Sequence, residues 1–110
     1  MTPSNDASEG RFVNIVTLAC KDEEHAARCL TALRLHGKPD ALSFNCLSYE
    51  FGLKEGSPDT VYIVEHWARW EDLESCIAEK VAPVLPMYNE LLKRLFDPAR
   101  DTVRIALASS

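Results

Sequence analysis

The sequence lacks the features that mark several large classes of protein. Its 110 residues contain no apolar run near the roughly 20 residues that a membrane-spanning helix needs. The first ten residues, MTPSNDASEG, have no apolar core of the kind found in signal peptides. We therefore expect an intracellular, cytoplasmic protein without a membrane partner.

Clustered positive charge is also missing. The chain has 12 basic and 17 acidic residues, a formal net charge of −5, and its lysines and arginines are scattered along the sequence. Proteins that bind nucleic acid need a basic surface to meet the phosphates. We therefore expect no nucleic-acid partner.

Cysteine and histidine patterns give no sign of a disulfide framework or a metal site. The four cysteines include no CxxC pair, so buried free thiols are the expected state. His25, Cys29 and His36 fall on one side of a predicted helix, which superficially resembles a set of metal ligands. Cys29 and His36 are separated by a rise of about 10 Å, too far for one ion to reach both. We expect no metal.

What remains is the composition of an ordinary globular protein, with 46% hydrophobic and 26% charged residues. The length suits one hydrophobic core. Residues 1–10 are polar and contain proline and glycine, and we expect them to form a flexible arm. Residues 11–108 are expected to form a single domain.

Hydrophobic patterns predict six elements in the order β-α-β-β-α-β. Asp22 is a candidate N-cap for the first helix and Gly37 a candidate stop, while the second helix starts near Trp70, breaks near Pro83 and restarts at Pro86. That restarted helix, with its apolar stripe Tyr88, Leu91, Leu92 and Leu95, is expected to end at Asp97-Pro98. The predicted strands are residues 11–19, 41–51, a third ending at Trp67, and 101–108. This order is typical of the ferredoxin-like α+β fold, with a four-stranded antiparallel sheet and both helices on one face.

The third strand is apolar on both faces. Side chains alternate along a strand, so Val61, Ile63, Glu65 and Trp67 share one face and Tyr62, Val64 and His66 share the other. The helices cover only one face of such a sheet, and soluble monomers rarely expose a large apolar patch. We therefore expect a homodimer in which two sheets pack face to face and form an α/β barrel.

The segment VYIVEHWARWEDLESC resembles the antibiotic biosynthesis monooxygenase domain, a branch of the dimeric α/β barrel proteins. The resemblance depends on an apolar run, the sequence Glu65-His66-Trp67 and a charged helix start, and it extends over most of residues 11–108. It implies a small dimeric protein with an aromatic substrate between sheet and helices. Monooxygenases of this family oxidise anthrones or quinols with O2 and use no flavin, metal or haem; relatives degrade haem or have no assigned reaction.

Two positions depart from the family pattern. Many members place a histidine nine residues after the tryptophan, where this chain has Cys76. That difference argues against haem ligation or histidine chemistry at this site. His66 stands where an apolar residue is usual, and strand alternation points it away from Trp67.

Oxygenation without a cofactor requires a base and a dry pocket, because the substrate must first become an electron-rich anion. His66 and Glu65 are the candidate bases, although a substrate anion could also form unaided. His66 could instead be a polar residue at a dimer contact, and Glu65 could form an ion pair with Arg69 or Arg104. The sequence leaves these alternatives open.

The remaining candidates would shape the pocket. Trp67 is either a flat wall for a planar substrate or a core residue. Asn14 could stabilise a developing oxygen anion, or could satisfy its own hydrogen bonds within the sheet. Possible lining residues are Phe44, Tyr62, Cys76, Met87, Tyr88 and Phe96.

These observations favour a cofactor-independent monooxygenase that oxidises a polycyclic, anthrone-like or quinol-type compound with O2. Fold and pocket do not determine a reaction by themselves. A non-oxidative lyase, isomerase or cyclase is one alternative, since it would use the same cavity for proton transfer. A non-catalytic dimeric protein that binds a small molecule is the other.

Overall fold

The computed structural model describes residues 10–108, so the predicted N-terminal arm lies, apart from Gly10, outside the described residues. The chain forms one four-stranded antiparallel sheet with the order β2-β3-β1-β4, and the helical segments lie between the strands in sequence. The predicted ferredoxin-like α+β fold is confirmed. The strands are β1 (Phe12–Ala19), β2 (Ser48–Lys54), β3 (Ser57–Trp67) and β4 (Thr102–Ala106).

Burial alternates along the two central strands as the sequence predicts. Every second residue of β1, starting at Phe12, is buried, and the same holds for β3 from Val61 to Trp67. The alternation follows from the pleat of a strand, which points successive side chains to opposite faces. The sheet therefore has an inner face that carries the core and an outer face.

The first helical region is longer than predicted. Asp22 caps it through a 2.8 Å hydrogen bond from the backbone N–H of His25, as expected. The predicted stop at Gly37 is wrong, because Gly37 has helical backbone angles (φ −58). The segments are α1 (Glu23–Ala32), a π-helical stretch (Leu33–Gly37) and α2 (Lys38–Ser43).

The absence of a side chain at Gly37 serves packing. A Cβ there would lie 2.8 Å from the hydroxyl oxygen of Tyr49, so glycine lets the ring of Tyr49 reach the helix. The chain instead turns after the helix at Asn45, which has a left-handed backbone (φ 71), a conformation that asparagine tolerates. Strand β2 consequently begins at Ser48, and the predicted start at residue 41 is wrong, since a short apolar segment fits a helix or a strand equally well.

The second helical region breaks and restarts around Pro83, as predicted. It consists of α3 (Trp70–Cys76), a π-helical stretch (Ile77–Val81), a 3-10 turn (Ala82–Val84) and α4 (Leu85–Asn89). The predicted continuation to Asp97 is wrong. The backbone around Leu92 instead pairs with the end of β1 at Cys20, and Leu95 is 72% exposed.

A buried carboxylate fixes the entry to β4. Asp101 ends a short helix, α5 (Pro98–Asp101), and accepts hydrogen bonds from Arg94, Arg100 and the backbone N–H of Asp97. The Arg100 guanidinium is the main cause that holds the pKa of Asp101 well below its usual range. This network lies directly before β4, whose register is given by its pairing with β1. The strand is shorter than the predicted residues 101–108.

All four cysteines are buried free thiols. Burial raises the pKa of Cys29 to about 12 and that of Cys46 to about 11, so both stay protonated at neutral pH. Among residues 10–108, no group of three or more His, Cys, Asp or Glu side chains is placed to hold a metal ion. In the same part of the chain, no helix has both the length and the apolar character needed to cross a membrane.

The outer face of the sheet carries apolar side chains that remain accessible. Val64 on β3 is 41% exposed, and Val103 and Ile105 on β4 are 57% and 45% exposed. The register places Val13 and Ile15 of β1 directly between these two strands. The outer face is therefore an apolar surface that spans three strands.

Candidate active site

A row of four polar side chains crosses the inner face of the sheet, one from each strand. Tyr49 pairs with Glu65, Glu65 pairs with Asn14, and Asn14 pairs with Arg104 in the strand register. Directly opposite residues on neighbouring strands have adjacent side chains. The sheet therefore brings together four residues that lie up to 90 positions apart in the sequence.

Hydrogen bonds connect Asn14, Glu65 and Arg104 within this row, and a further hydrogen bond joins Trp67 to Glu65. The carboxylate atom Oε1 of Glu65 accepts hydrogen bonds from Nδ2 of Asn14 at 3.1 Å and from Nε1 of Trp67 at 2.9 Å. The amide oxygen of Asn14 accepts a hydrogen bond from Nε of Arg104 at 3.1 Å. Asn14 thus links Glu65 to Arg104, and both of its polar atoms have a defined direction.

Glu65 is a buried carboxyl group without an ion-pair partner among the described residues. Its exposed fraction is 9%. Neither arginine that the sequence suggested as an ion-pair partner contacts it, because Arg69 contacts Glu71 and Arg104 contacts Asn14. Burial raises the pKa of Glu65, whereas the hydrogen bonds from Asn14 and Trp67 and the charge of Arg104 work in the opposite direction. The net upward shift makes this group a stronger base than an exposed glutamate.

The second oxygen of Glu65 is free of hydrogen bonds within the described part of the chain. Both hydrogen bonds to this carboxylate go to Oε1, and Oε2 has no hydrogen-bond partner among residues 10–108. Glu65 lines a cavity of about 340 Å³ between the inner face of the sheet and the helices. Oε2 is therefore available to exchange a proton with a bound molecule.

The walls of the cavity are mainly apolar. Val16, Leu18 and Ile63 form its floor on the sheet, and Leu73, Val84 and Leu85 contribute from the second helical region. Apolar walls exclude water and suit a planar aromatic ligand. Of the predicted site residues, those that line the cavity are Asn14, Glu65, Trp67, Cys76, Met87, Tyr88 and Phe96.

Three predicted site residues lie elsewhere. His66 and Tyr62 are on β3 next to inward-facing residues, so their side chains belong to the outer face. Phe44 follows α2 and packs against the core. Atom Nε2 of His66 is buried and has no hydrogen-bond partner among residues 10–108.

Sequence reasoning missed Tyr49 altogether and considered Arg104 only as an ion-pair partner. Burial raises the pKa of Tyr49 above its usual range, so its hydroxyl stays protonated. The alternation of side chains along β3 could not identify Tyr49, because Tyr49 is on β2 and its pairing with Glu65 depends on the register between β2 and β3. Arg104 carried a weak signal, as the only charged residue within the apolar alternation of the last strand.

The fold and the site together define a ferredoxin-like protein with a buried carboxyl group at the floor of an apolar cavity. No protein-family model matches the chain, and no curated protein matches it either. Structural relatives are found among solved structures. A Pseudomonas aeruginosa protein aligns with a TM-score of 0.72 at 18% identity, covering 93% of this chain and 98% of its own.

Two further relatives carry more descriptive names. A candidate antibiotic biosynthesis monooxygenase of Chloroflexus aurantiacus aligns with a TM-score of 0.63 at 17% identity, covering 91% of this chain and 95% of its own. A dimeric ferredoxin-like protein from an uncultured marine organism aligns with a TM-score of 0.69 at 13% identity, covering 98% and 96%. At these identities the likeness establishes the fold, and function has to be argued from the site.

Proposed function

We propose that the protein is a cofactor-independent monooxygenase that oxidises an anthrone-like or quinol-type aromatic compound with O2. The observation that carries this proposal is Glu65, a buried carboxyl group of raised pKa that lines a mainly apolar cavity and has both of its hydrogen bonds on one oxygen. The named relative from Chloroflexus aurantiacus has the same fold. In this proposal Glu65, rather than His66, is the base, since His66 does not line the cavity.

For an anthrone-like substrate, the first step is removal of a proton from the activated CH2 carbon. The Glu65 carboxylate takes this proton at Oε2 and leaves an electron-rich anion delocalised over the aromatic rings. Burial favours the step, because a carboxylate in a poorly solvated site is a stronger base. The hydrogen bonds from Asn14 and Trp67 hold the other oxygen and so keep Oε2 directed at the substrate.

The anion then gives one electron to O2, and the resulting radical pair combines to form a C–O bond. The peroxide takes the proton back from Glu65, and Glu65 next removes the second proton of the same carbon while the O–O bond breaks. The carbon becomes a carbonyl, and the departing hydroxide takes the proton from Glu65 to form water. One CH2 group and O2 give one C=O group and one water, and Glu65 returns to its starting state.

The other residues of the site support this chemistry without changing protonation. The indole of Trp67 borders the cavity but is almost fully buried, so it supports the wall and helps to exclude water. Tyr49 also lines the cavity, and its hydroxyl, which reaches the helix at Gly37, stays protonated and can donate a hydrogen bond to an oxygen anion. Asn14 holds Glu65 in place.

Oxygen uptake by the metal-stripped protein tests the proposal. We expect anthrones or hydroquinones to consume O2 faster than they do without protein, and chelators to leave this rate unchanged. His66→Ala serves as a control because His66 lies outside the cavity, and its rate should match the wild type. Conversion of a bound compound without O2 consumption would instead indicate a lyase, isomerase or cyclase, and tight binding without conversion would indicate a binding protein.

We further propose a homodimer formed by the outer faces of two sheets. The apolar surface that includes Val13, Ile15, Val64, Val103 and Ile105 supports this arrangement, since soluble monomers rarely expose such a patch. The unpartnered Nε2 of His66 belongs to the same face, where a second chain could supply a hydrogen-bond partner.

Replacing Val64 with Asp should convert this dimer into monomers. The carboxylate would be placed on the apolar surface next to Ile15, where burial without a partner is costly. Sedimentation equilibrium measures the change in mass. Leu35→Asp is the matched control, because Leu35 is 61% exposed on the helical side, and its mass should equal that of the wild type. A Val64→Asp variant that stays dimeric would contradict the proposed interface.

A further inference from the structure

Arg104 is held more firmly than an exposed arginine at a strand edge normally is. Its guanidinium carbon lies 4.2 Å from the centroid of the Trp70 ring, and its Nε donates to the amide oxygen of Asn14. Trp70 is itself fixed by Phe12, at a distance of 5.6 Å between ring centroids. Stacking on one side and a hydrogen bond along one edge together set the plane of the guanidinium.

The end of this guanidinium has no acidic partner. Arg94 and Arg100 both form ion pairs with Asp101, whereas Arg104 contacts no carboxylate among residues 10–108. Its Nε is occupied by Asn14, which leaves the two terminal nitrogens as a pair of parallel donors. Such a fork matches the two oxygens of a carboxylate.

Arg104 also belongs to the wall of the cavity. It stands at the β4 end of the polar row, and Asn14 separates it from Glu65. A molecule in the cavity therefore meets a proton-accepting carboxyl at one point and a fixed cation at another. Asp40 and Lys80 also line the cavity, but they come from the helical segments, whereas Arg104 is held on the sheet beside the polar row.

We propose that the aromatic ligand of this cavity carries a carboxylate, which the end of the Arg104 guanidinium binds. This inference rests on the proposed function, because it names the substrate class of the same site. The carboxylate anchors the aromatic system at the β4 edge and directs a different carbon toward Glu65. Neutral aromatics of the same shape lack this anchor and bind more weakly.

Paired probes test the proposal directly. Anthracene-2-carboxylate and anthracene-2-carboxamide have the same ring system and differ in charge, and the fluorescence of each probe reports its binding to the full-length protein. We expect the wild type to bind the acid about tenfold or more tightly than the amide, as a charge-assisted hydrogen bond provides. Raising the salt concentration should reduce the difference.

Variants assign this preference to Arg104. Arg104→Gln should bind both probes with similar affinity, whereas Arg104→Lys should keep a smaller preference for the acid, because it retains the charge and loses the fork. Arg28→Gln is the matched control, since Arg28 is an exposed arginine on α1, and its preference should equal that of the wild type. If Arg104→Gln binds neither probe, the Arg104→Lys variant decides the outcome.

Equal affinity of the wild type for acid and amide would overturn the inference. A full preference for the acid in Arg104→Gln would also overturn it. If Arg104→Gln binds neither probe, the absence of a preference in Arg104→Lys would overturn the inference. Oxygen uptake with neutral anthrones is measured separately. Oxygen uptake without a preference for acids would support the proposed monooxygenase and reject only the carboxylate anchor. A preference for acids without oxygen uptake would support the anchor and reject the monooxygenase.

Discussion

Replacing Glu65 with Gln should lower kcat for the aromatic substrate by about 10²- to 10⁴-fold, the range that a positioned general base contributes. Glutamine keeps the size of the side chain and can still accept hydrogen bonds from Asn14 and Trp67 through its amide oxygen. It cannot take up a proton. Stopped-flow or oxygen-electrode measurements at saturating substrate give the loss in kcat, and substrate affinity should change much less.

The pH profile separates this catalytic role from a structural one. Burial raises the pKa of Glu65, so the wild-type kcat should rise with pH through a value above the usual range of a glutamate. The residual rate of Glu65→Gln should lack this rise. Glu50→Gln is the control, because Glu50 lies on the outer face of β2 opposite Val64, and its profile should match the wild type. An unchanged kcat in Glu65→Gln would reject Glu65 as the base.

The same pKa shift predicts how stability depends on pH. The carboxyl group is easier to bury when protonated, so its favourable contribution is complete below the unfolded-state pKa. It is lost as pH rises through the raised pKa of the folded state. The free energy of unfolding of Glu65→Gln, relative to the wild type, should therefore increase across this interval.

Replacing Trp67 with Ala should reduce the free energy of unfolding by about 3–5 kcal/mol, as truncation of a large buried aromatic does. Trp67 is among the largest fully buried side chains of the described chain, at 1% exposure. Its removal leaves a void beside the cavity and also removes a hydrogen-bond donor from a buried carboxylate. Urea unfolding followed by circular dichroism measures the loss.

Trp67→Phe distinguishes packing from hydrogen bonding. Phenylalanine retains much of the apolar volume but has no N–H group, so Oε1 of Glu65 keeps only the bond from Asn14. The lost hydrogen bond favours the neutral carboxyl and raises the pKa of Glu65 further. We expect a smaller loss of stability than in Trp67→Ala and a rise of kcat that occurs at higher pH. An unshifted pH profile would contradict the assigned role of the indole N–H.

Local patterns in the sequence were sufficient for much of the fold. The alternation around Glu65 and Trp67 depends only on the pleat of one strand, so it correctly separated the inner from the outer residues of β3. The order of elements identified the ferredoxin-like arrangement. The break at Pro83 was also predictable, because proline removes a backbone donor and its ring clashes with the preceding turn.

Errors arose where tertiary contacts override a local signal. Gly37 resembles a helix stop, yet the helix continues through it, and its missing side chain leaves the space that the hydroxyl of Tyr49 occupies. The segment around Leu92 has a helical stripe, yet its backbone pairs with the end of β1. In both cases the deciding partner comes from a distant part of the chain.

The residues of the candidate site were likewise predictable from the sequence only where a local pattern places them. The sequence by itself determined that Glu65, Trp67 and Asn14 lie on strand faces where they could meet a ligand, since side-chain direction follows from position within a strand. Only the tertiary structure decided that Tyr49 and Arg104 complete the row and that His66 does not line the cavity. Strand register is set by hydrogen bonds between segments far apart in the chain, and alternation within one segment carries no information about that pairing.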